Sequence, residues 1–237
     1  MLILILLVLI SFSFGQIPSL EVKIGRGELS DAVRLLILLT ILSLAPSILI
    51  MFTSFIRIVV VLSVLRQAIG LPQVPPNQVI ISLALFLTFF IMKPVIEDIN
   101  QNAFQPLVKK EITDEEFFKR TERIIKEFML KNTRKETLKA FLDVAKIDKN
   151  SLKSPQDIPL SVVIPAFMVS ELKTAFEIVF LLYLPFLIID MVVASILISM
   201  GIIMIPPQLI SLPFKIMLFV LANGWELVIL SLVRSYS

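Results

Sequence analysis

The sequence predicts an all-α integral membrane protein built of helical hairpins, and three observations predict it. Of 237 residues, 57% are hydrophobic and 17% charged, with a mean hydropathy of +0.93. A soluble domain carries roughly 45–50% apolar and about 25% charged residues, so the surplus here has to face lipid or other subunits. The apolar residues also fall in runs comparable to the roughly 20 residues that cross a bilayer as a helix. No stretch alternates with the period of two that a half-buried strand requires.

The elements follow in order. Residues 1–15, MLILILLVLISFSFG, are short for a span and fit the apolar region of a signal peptide, with an uncleaved anchor helix as the alternative. Small residues at its end place the expected cleavage between Gly15 and Gln16. A first apolar stretch, 35–55, contains Pro46, and a second, 79–96, carries only Lys93. Between them, residues 56–76 read as a cytoplasmic loop, with Arg57 and Arg66 and no acid, as the positive-inside bias requires. This arrangement puts the insert that follows, and both mature termini, on the extracytoplasmic side of the membrane.

That insert is set off by charge. Residues 97–157 hold 25 of the 41 charged side chains, 13 basic and 12 acidic, and so form one water-facing segment between two apolar blocks. It reads as two helices, opened by capping boxes at Thr113–Glu116 and Thr133–Glu136. The first has an apolar stripe of Phe117, Ile124 and Phe128, widened by Phe118 and Ile125; the second has Leu138, Phe141, Leu142 and Ala145. Four acid-to-base pairs at i,i+4, beginning at Glu115, Glu116, Glu122 and Glu127, favour helix by about 0.2–0.5 kcal/mol each. A hairpin packed on its neighbours fits this pattern better than a free binding module.

Residues 161–177 read as an amphipathic helix with Ser170, Glu171, Thr174 and Glu177 on one face, able to line an aqueous channel or to sit at headgroup level. The third apolar stretch, 178–205, is interrupted by Asp190, and the fourth, 209–233, by Lys215 and Glu226. Pro206-Pro207 separates them as a helix stop and turn. An acid amid so many apolar residues must pair, protonate or face water or the protein interior, and Lys215 is the partner to expect. Counted from the prolines, the two lie about 24 Å and about 12 Å along straight helices. An intrachain pair is then mismatched in depth, and pairing between subunits is at least as good. Gly201 loosens the helix before the prolines, placing Ile202, Ile203 and Met204 on a bend, either as a pore constriction or as lipid-facing side chains before a turn. The expected divisions are 1–15 (signal), 16–96 (apolar hairpin), 97–157 (polar insert) and 158–237 (apolar helices with the bend).

The chemistry available is narrow. There is no His and no Cys, so zinc and haem ligation, disulfides, thiol chemistry and any His-based acid–base pair are excluded. Scattered glycines form no phosphate-binding loop, and a net charge of +3 does not suggest nucleic acid. We expect no catalytic set, no metal and no cofactor, hence not an enzyme.

Several ordered segments together resemble one family. They are Thr53-Ser-Phe-Ile-Arg-Ile-Val-Val-Val-Leu-Ser-Val-Leu-Arg66, Pro75-Pro-Asn-Gln-Val79, and Leu83-Ala-Leu-Phe-Leu-Thr-Phe-Phe-Ile-Met92. Pro165-Ala-Phe-Met-Val-Ser-Glu-Leu-Lys-Thr-Ala-Phe176, Pro185-Phe-Leu-Ile-Ile-Asp190, Gly201-Ile-Ile-Met-Ile-Pro-Pro207 and Leu212-Pro-Phe-Lys-Ile-Met-Leu-Phe219 continue the series. The chain resembles the FliP family of flagellar export-gate proteins, which injectisome proteins also resemble.

The resemblance implies a core subunit of the flagellar type III export gate, in the basal body of the inner membrane. Several copies would assemble with FliR and FliQ into a helical channel for unfolded flagellar proteins, alongside other export-apparatus membrane proteins and lipid. It also places the family's methionine-rich gasket on Ile202, Ile203 and Met204, on the bend made by Gly201, Pro206 and Pro207. Two of those three positions are Ile here, keeping apolar bulk without the unbranched flexibility of Met. Glu171, Lys173, Glu177, Asp190 and Lys215 follow as candidates for channel lining or assembly. The rival class is a proton-coupled secondary transporter or ion channel using Asp190 and Glu177, against which stands the absence of an internal repeat.

Overall fold

The computed structural model describes residues 28–147, 152, 154–202 and 204–236, and among these it contains helices and no strand. The expected signal segment, with Gly15 and Gln16, lies outside the described residues, as does Ile203. The chain divides into two units, residues 1–49 and 50–237. In the first, helix α1 (Glu28–Phe52) carries a shorter apolar run, Val33–Leu44, and Thr40 donates its hydroxyl to the Leu36 carbonyl at 2.7 Å.

The second unit opens with α2 (Phe55–Ile69), which corrects the expectation of a loop over 56–76. Ile58, Val61 and Leu62 are fully buried, and Arg57 and Arg66 are buried with them, so neither arginine acts as a loop charge. Gly70 ends the helix in the left-handed conformation, with its own N–H on the Gln67 carbonyl and that of Leu71 on Arg66. Helix α3 (Asn77–Val108) runs well past the expected end at Ile96, through Pro94 and a π-helical turn at Asn100–Phe104.

The polar insert forms two helices, α4 (Asp114–Asn132) and α5 (Lys135–Val144). The first capping box is present: Thr113 Oγ1 accepts from the Glu116 N–H, and the Glu116 carboxylate accepts from the Thr113 N–H. The second is not. Thr133 turns its hydroxyl back to the Met129 carbonyl at 2.7 Å, closing α4, and the Arg134 N–H goes to Ser170 Oγ at 3.0 Å. Of the i,i+4 pairs, Glu115–Lys119 and Glu122–Lys126 close, while Arg120 reaches the Asn102 carbonyl instead. Met129, Leu142, Ile158, Val162, Val163 and Phe167 form a core cluster, with Ile125, Phe128, Leu138 and Phe141 against it. The insert therefore packs on its neighbours, and Phe118, on the far side of the stripe, stays exposed.

Helix α6 (Leu160–Ser199) is one continuous element of 40 residues, joining the expected amphipathic helix to the third apolar stretch. At 1.5 Å per residue it is about 60 Å long, roughly twice the hydrocarbon thickness. Its N-terminal part packs on α4 and α5, and α2 lies most extensively along it. Among the described residues, two helices, α3 and α6, are long and apolar enough to cross a membrane. The expected fourth stretch is broken into α7 (Pro207–Leu221) and α8 (Gly224–Arg234), bent by 60°, which make either one broken span or a re-entrant loop.

That break has a local cause. Asn223 takes a left-handed φ of 49°, and a Cβ on Gly224 would lie 2.2 Å from the Phe219 ring. Phe219 is itself held edge-on to Trp225 with centroids 5.4 Å apart. Gly224→Ala should therefore lower stability by about 1–3 kcal/mol through overpacking, read as a fall in the unfolding temperature of the detergent-solubilised protein. An unchanged temperature would show that Phe219 can move aside.

Candidate functional site

Among the described residues, charged side chains of the apolar helices build three polar junctions. In the first, Arg57 on α2 meets Glu171 on α6, with Nε donating to Oε2 at 3.0 Å and a terminal nitrogen paired with Oε1. Both groups are buried. The segment after α8 completes the junction: Arg57 also donates to Ser235 Oγ at 2.9 Å and to its carbonyl at 3.2 Å. The Tyr236 hydroxyl donates to Glu171, and the Tyr236 ring lies 3.8 Å from the guanidinium carbon. Burial, reinforced by the Glu171 carboxylate, pushes the Tyr236 phenol up, so it keeps the proton it donates.

The second junction fastens the insert. Arg134 donates to Thr174 Oγ1 at 3.1 Å and pairs with Glu177, both on the face of α6 that holds Ser170. Ser170 and Glu171 are wholly buried, so this part of the predicted polar face turns into the chain and not toward a channel or headgroups. Lys173 and Glu177 stay exposed and border a shallow groove with Phe176, Phe180 and Leu181.

The third junction is the pair expected on depth to be mismatched. Lys215 Nζ lies 2.6 Å from Asp190 Oδ2 within the chain, Ser211 donates to Asp190 Oδ1 at 2.5 Å, and Nζ also reaches the Ala68 carbonyl at 3.4 Å. The mismatch vanishes because α6 stops at Ser199, seven residues before Pro206. Asp190 is then nine residues from its helix end and Lys215 eight from its helix start, about 13 Å and about 12 Å.

The stop is made by Gly201 and not by the prolines. With φ of 74°, Gly201 gives its N–H to the Ile198 carbonyl, and Ile202 gives its own to Leu197, a Schellman closure. Pro206 and Pro207 instead begin α7, as its N-cap and first residue. Between these ends Ile202 is partly buried, Ile205 is exposed, and Met204 is 95% exposed. Beside the loop a groove of about 450 Å³ between α6 and α7 is lined only by apolar side chains, among them Ile189, Val193, Leu197 and Phe214.

Sequence reasoning misses the joining roles of Arg57, Arg134, Ser211, Ser235 and Tyr236. Arg57 carries a signal, since a cation inside the run 55–65 needs a buried acid. Tyr236 carries none.

This arrangement defines a class: a helical membrane protein whose intramembrane-type charges are internal joints and whose apolar exterior awaits lipid or protein. Among the described residues no cluster of potential metal ligands occurs. The chain belongs to the FliP family, whose model matches residues 38–232. The flagellar biosynthetic protein FliP of Aquifex aeolicus (strain VF5) is 76% identical over 232 residues, spanning 98% of this chain and 97% of that protein. Its counterpart in Bacillus subtilis (strain 168) is 54% identical over 209 residues, 88% of this chain and 94% of the relative. That of Pectobacterium carotovorum is 48% identical over 212 residues, 90% and 81%.

The in-chain clasp makes a thermodynamic prediction. Removing one partner of a poorly solvated pair costs about 3–5 kcal/mol, while removing both is far milder. Asp190→Asn and Lys215→Met should each destabilise the chain, and the double variant should lose about 2 kcal/mol less than their sum. Strict additivity in thermal unfolding would place the pairing elsewhere.

Proposed function

We propose that this protein is a core subunit of the flagellar type III export gate. Several copies assemble with FliR and FliQ into the channel that unfolded flagellar proteins follow across the inner membrane, among other membrane proteins of the export apparatus. Family membership supports the setting. The insert 97–157 and both mature termini face the extracytoplasmic side, a reading that takes the leading segment as a signal, counts α1 as a further crossing, and no longer rests on Arg57 and Arg66.

The observation that carries the gate is the loop between α6 and α7. Met204 stands 95% exposed on a loop anchored by the Gly201 closure on one side and by Pro207 on the other. An apolar tip held out by two fixed helices suits a ring of such tips from neighbouring copies, which excludes water and ions by crowding and dewetting. Ile202, Ile203 and Met204 form this gasket. Met204 makes the constriction and Ile202, partly buried, braces the loop from behind. The branched Ile gives a stiffer seal than Met would, so the exported chain is accommodated chiefly by Met204. Lys173, exposed on α6, is available for contacts between subunits; Glu171, Glu177, Asp190 and Lys215 act in assembly by holding each subunit's own elements together.

A proton-coupled transporter using Asp190 and Glu177 has less support, because each carboxylate is engaged by a cation of the same chain. Substituting Ile202, Ile203 and Met204 together with Ala should raise ion leakage through the assembled complex severalfold, with Met204→Ala alone giving most of the increase. Unchanged conductance in complexes of normal composition would refute the gasket.

A further inference from the structure

The arm that follows the gate loop, α7 and α8, is fixed to the rest of the chain at two places. Near the loop, Lys215 on α7 holds Asp190 on α6 and the Ala68 carbonyl on α2. At the far end, Ser235 and Tyr236 hold Arg57 on α2 and Glu171 on α6. The two holds are 19 residues apart on α6, about 28 Å. Between them lies the Asn223–Gly224 elbow, where backbone hydrogen bonding is interrupted and bending is easiest.

The far hold has an unusual composition. A buried ion pair is tolerated when further hydrogen bonds satisfy the remaining donors and acceptors. Here the segment after α8 supplies them to both partners at once: acceptors from Ser235 to Arg57, and a donor from Tyr236 to Glu171. The Tyr236 ring also covers the guanidinium face, and stacks on Phe128 of the insert with centroids 6.2 Å apart. Moving α8 away would therefore strip ligands from a charge pair that water cannot easily reach, which makes departure steeply unfavourable.

We propose that Ser235 and Tyr236 are positioning residues, a latch that pins the α7–α8 arm to the Arg57–Glu171 pair so that the arm does not swing. Gating motion is then confined to the residues 200–206, between the Gly201 closure and Pro207. This rests on the gate reading for its purpose, but the latch itself is a property of the single chain.

Hydrogen–deuterium exchange on the full chain in lipid nanodiscs tests it without reference to conductance. Tyr236→Ala should speed exchange in α8 on the order of tenfold, as expected for losing a hydrogen bond to a charged group, while α3 keeps its protection. Tyr236→Phe, which retains the ring over Arg57, should give a smaller increase in the same amides, and Ser235→Ala a comparable one. In the unsubstituted chain, the Met204 and Ile205 amides should exchange ahead of those of α7 and α8. Unchanged α8 protection in Tyr236→Ala overturns the latch, as does acceleration spread equally over α3. Equal protection of the loop and the arm overturns the confinement of motion. A gate that fails the leakage experiment leaves each of these outcomes readable.

Discussion

A charge among apolar helices must find a partner within reach, and that constraint organises the described structure from residue 50 onward. Arg57 and Glu171 are separated by 114 residues, yet both are buried and bonded to each other. Desolvating either alone would cost several kcal/mol, so α2 has to lie along α6 in the register that joins them. Helix α2 then lies along α6 and buries Ile58, Val61 and Leu62. The same register brings the Ala68 carbonyl, at the other end of α2, to Lys215. Apolar packing supplies most of the contact, but apolar surfaces slide past one another at little penalty. The polar junctions choose one alignment out of many.

Much of this is legible in the sequence, and what is not shares one cause. Helicity, the apolar runs and the charge-rich insert are patterns within short windows, and the Thr113 capping box is complete within four residues. The second box at Thr133 fails because its hydroxyl is taken by Met129 and the next N–H by Ser170, 36 positions away. Arg57 reads as a loop charge because its burial depends on α6 and the segment after α8, which no local window contains. Its actual partners, Glu171 and Ser235, lie outside such a window.

Helix termination shows the same division more finely. The motif Gly201 to Pro207 holds two kinds of helix signal, and proline reads as the stronger because it cannot continue a helix. Proline is well tolerated in a first turn, however, while glycine is favoured just past a last one. The chain follows that asymmetry: Gly201 closes α6 and Pro207 opens α7. Moving the stop from proline to glycine releases 200–206 from the helix. The same shift equalises the depths of Asp190 and Lys215, so one glycine both creates the loop and permits the clasp beneath it.

The released loop is costly for an isolated chain, since Met204 and Ile205 stand exposed with no cover from their own helices. So do Phe176, Phe180 and Leu181 on α6, and Val220 and Leu221 on α7. Lipid could cover the sides of α6 and α7, where the helical ladder pairs the backbone except opposite Pro165, Pro185 and Pro213. The loop is different, because its carbonyls and N–H groups lack the helical ladder and hydrocarbon offers them nothing. Non-helical backbone at such a place is tolerated where protein or a water-filled passage surrounds it. An apolar tip on a polar, unladdered backbone therefore fits a mouth shared by several subunits better than a lipid-facing turn.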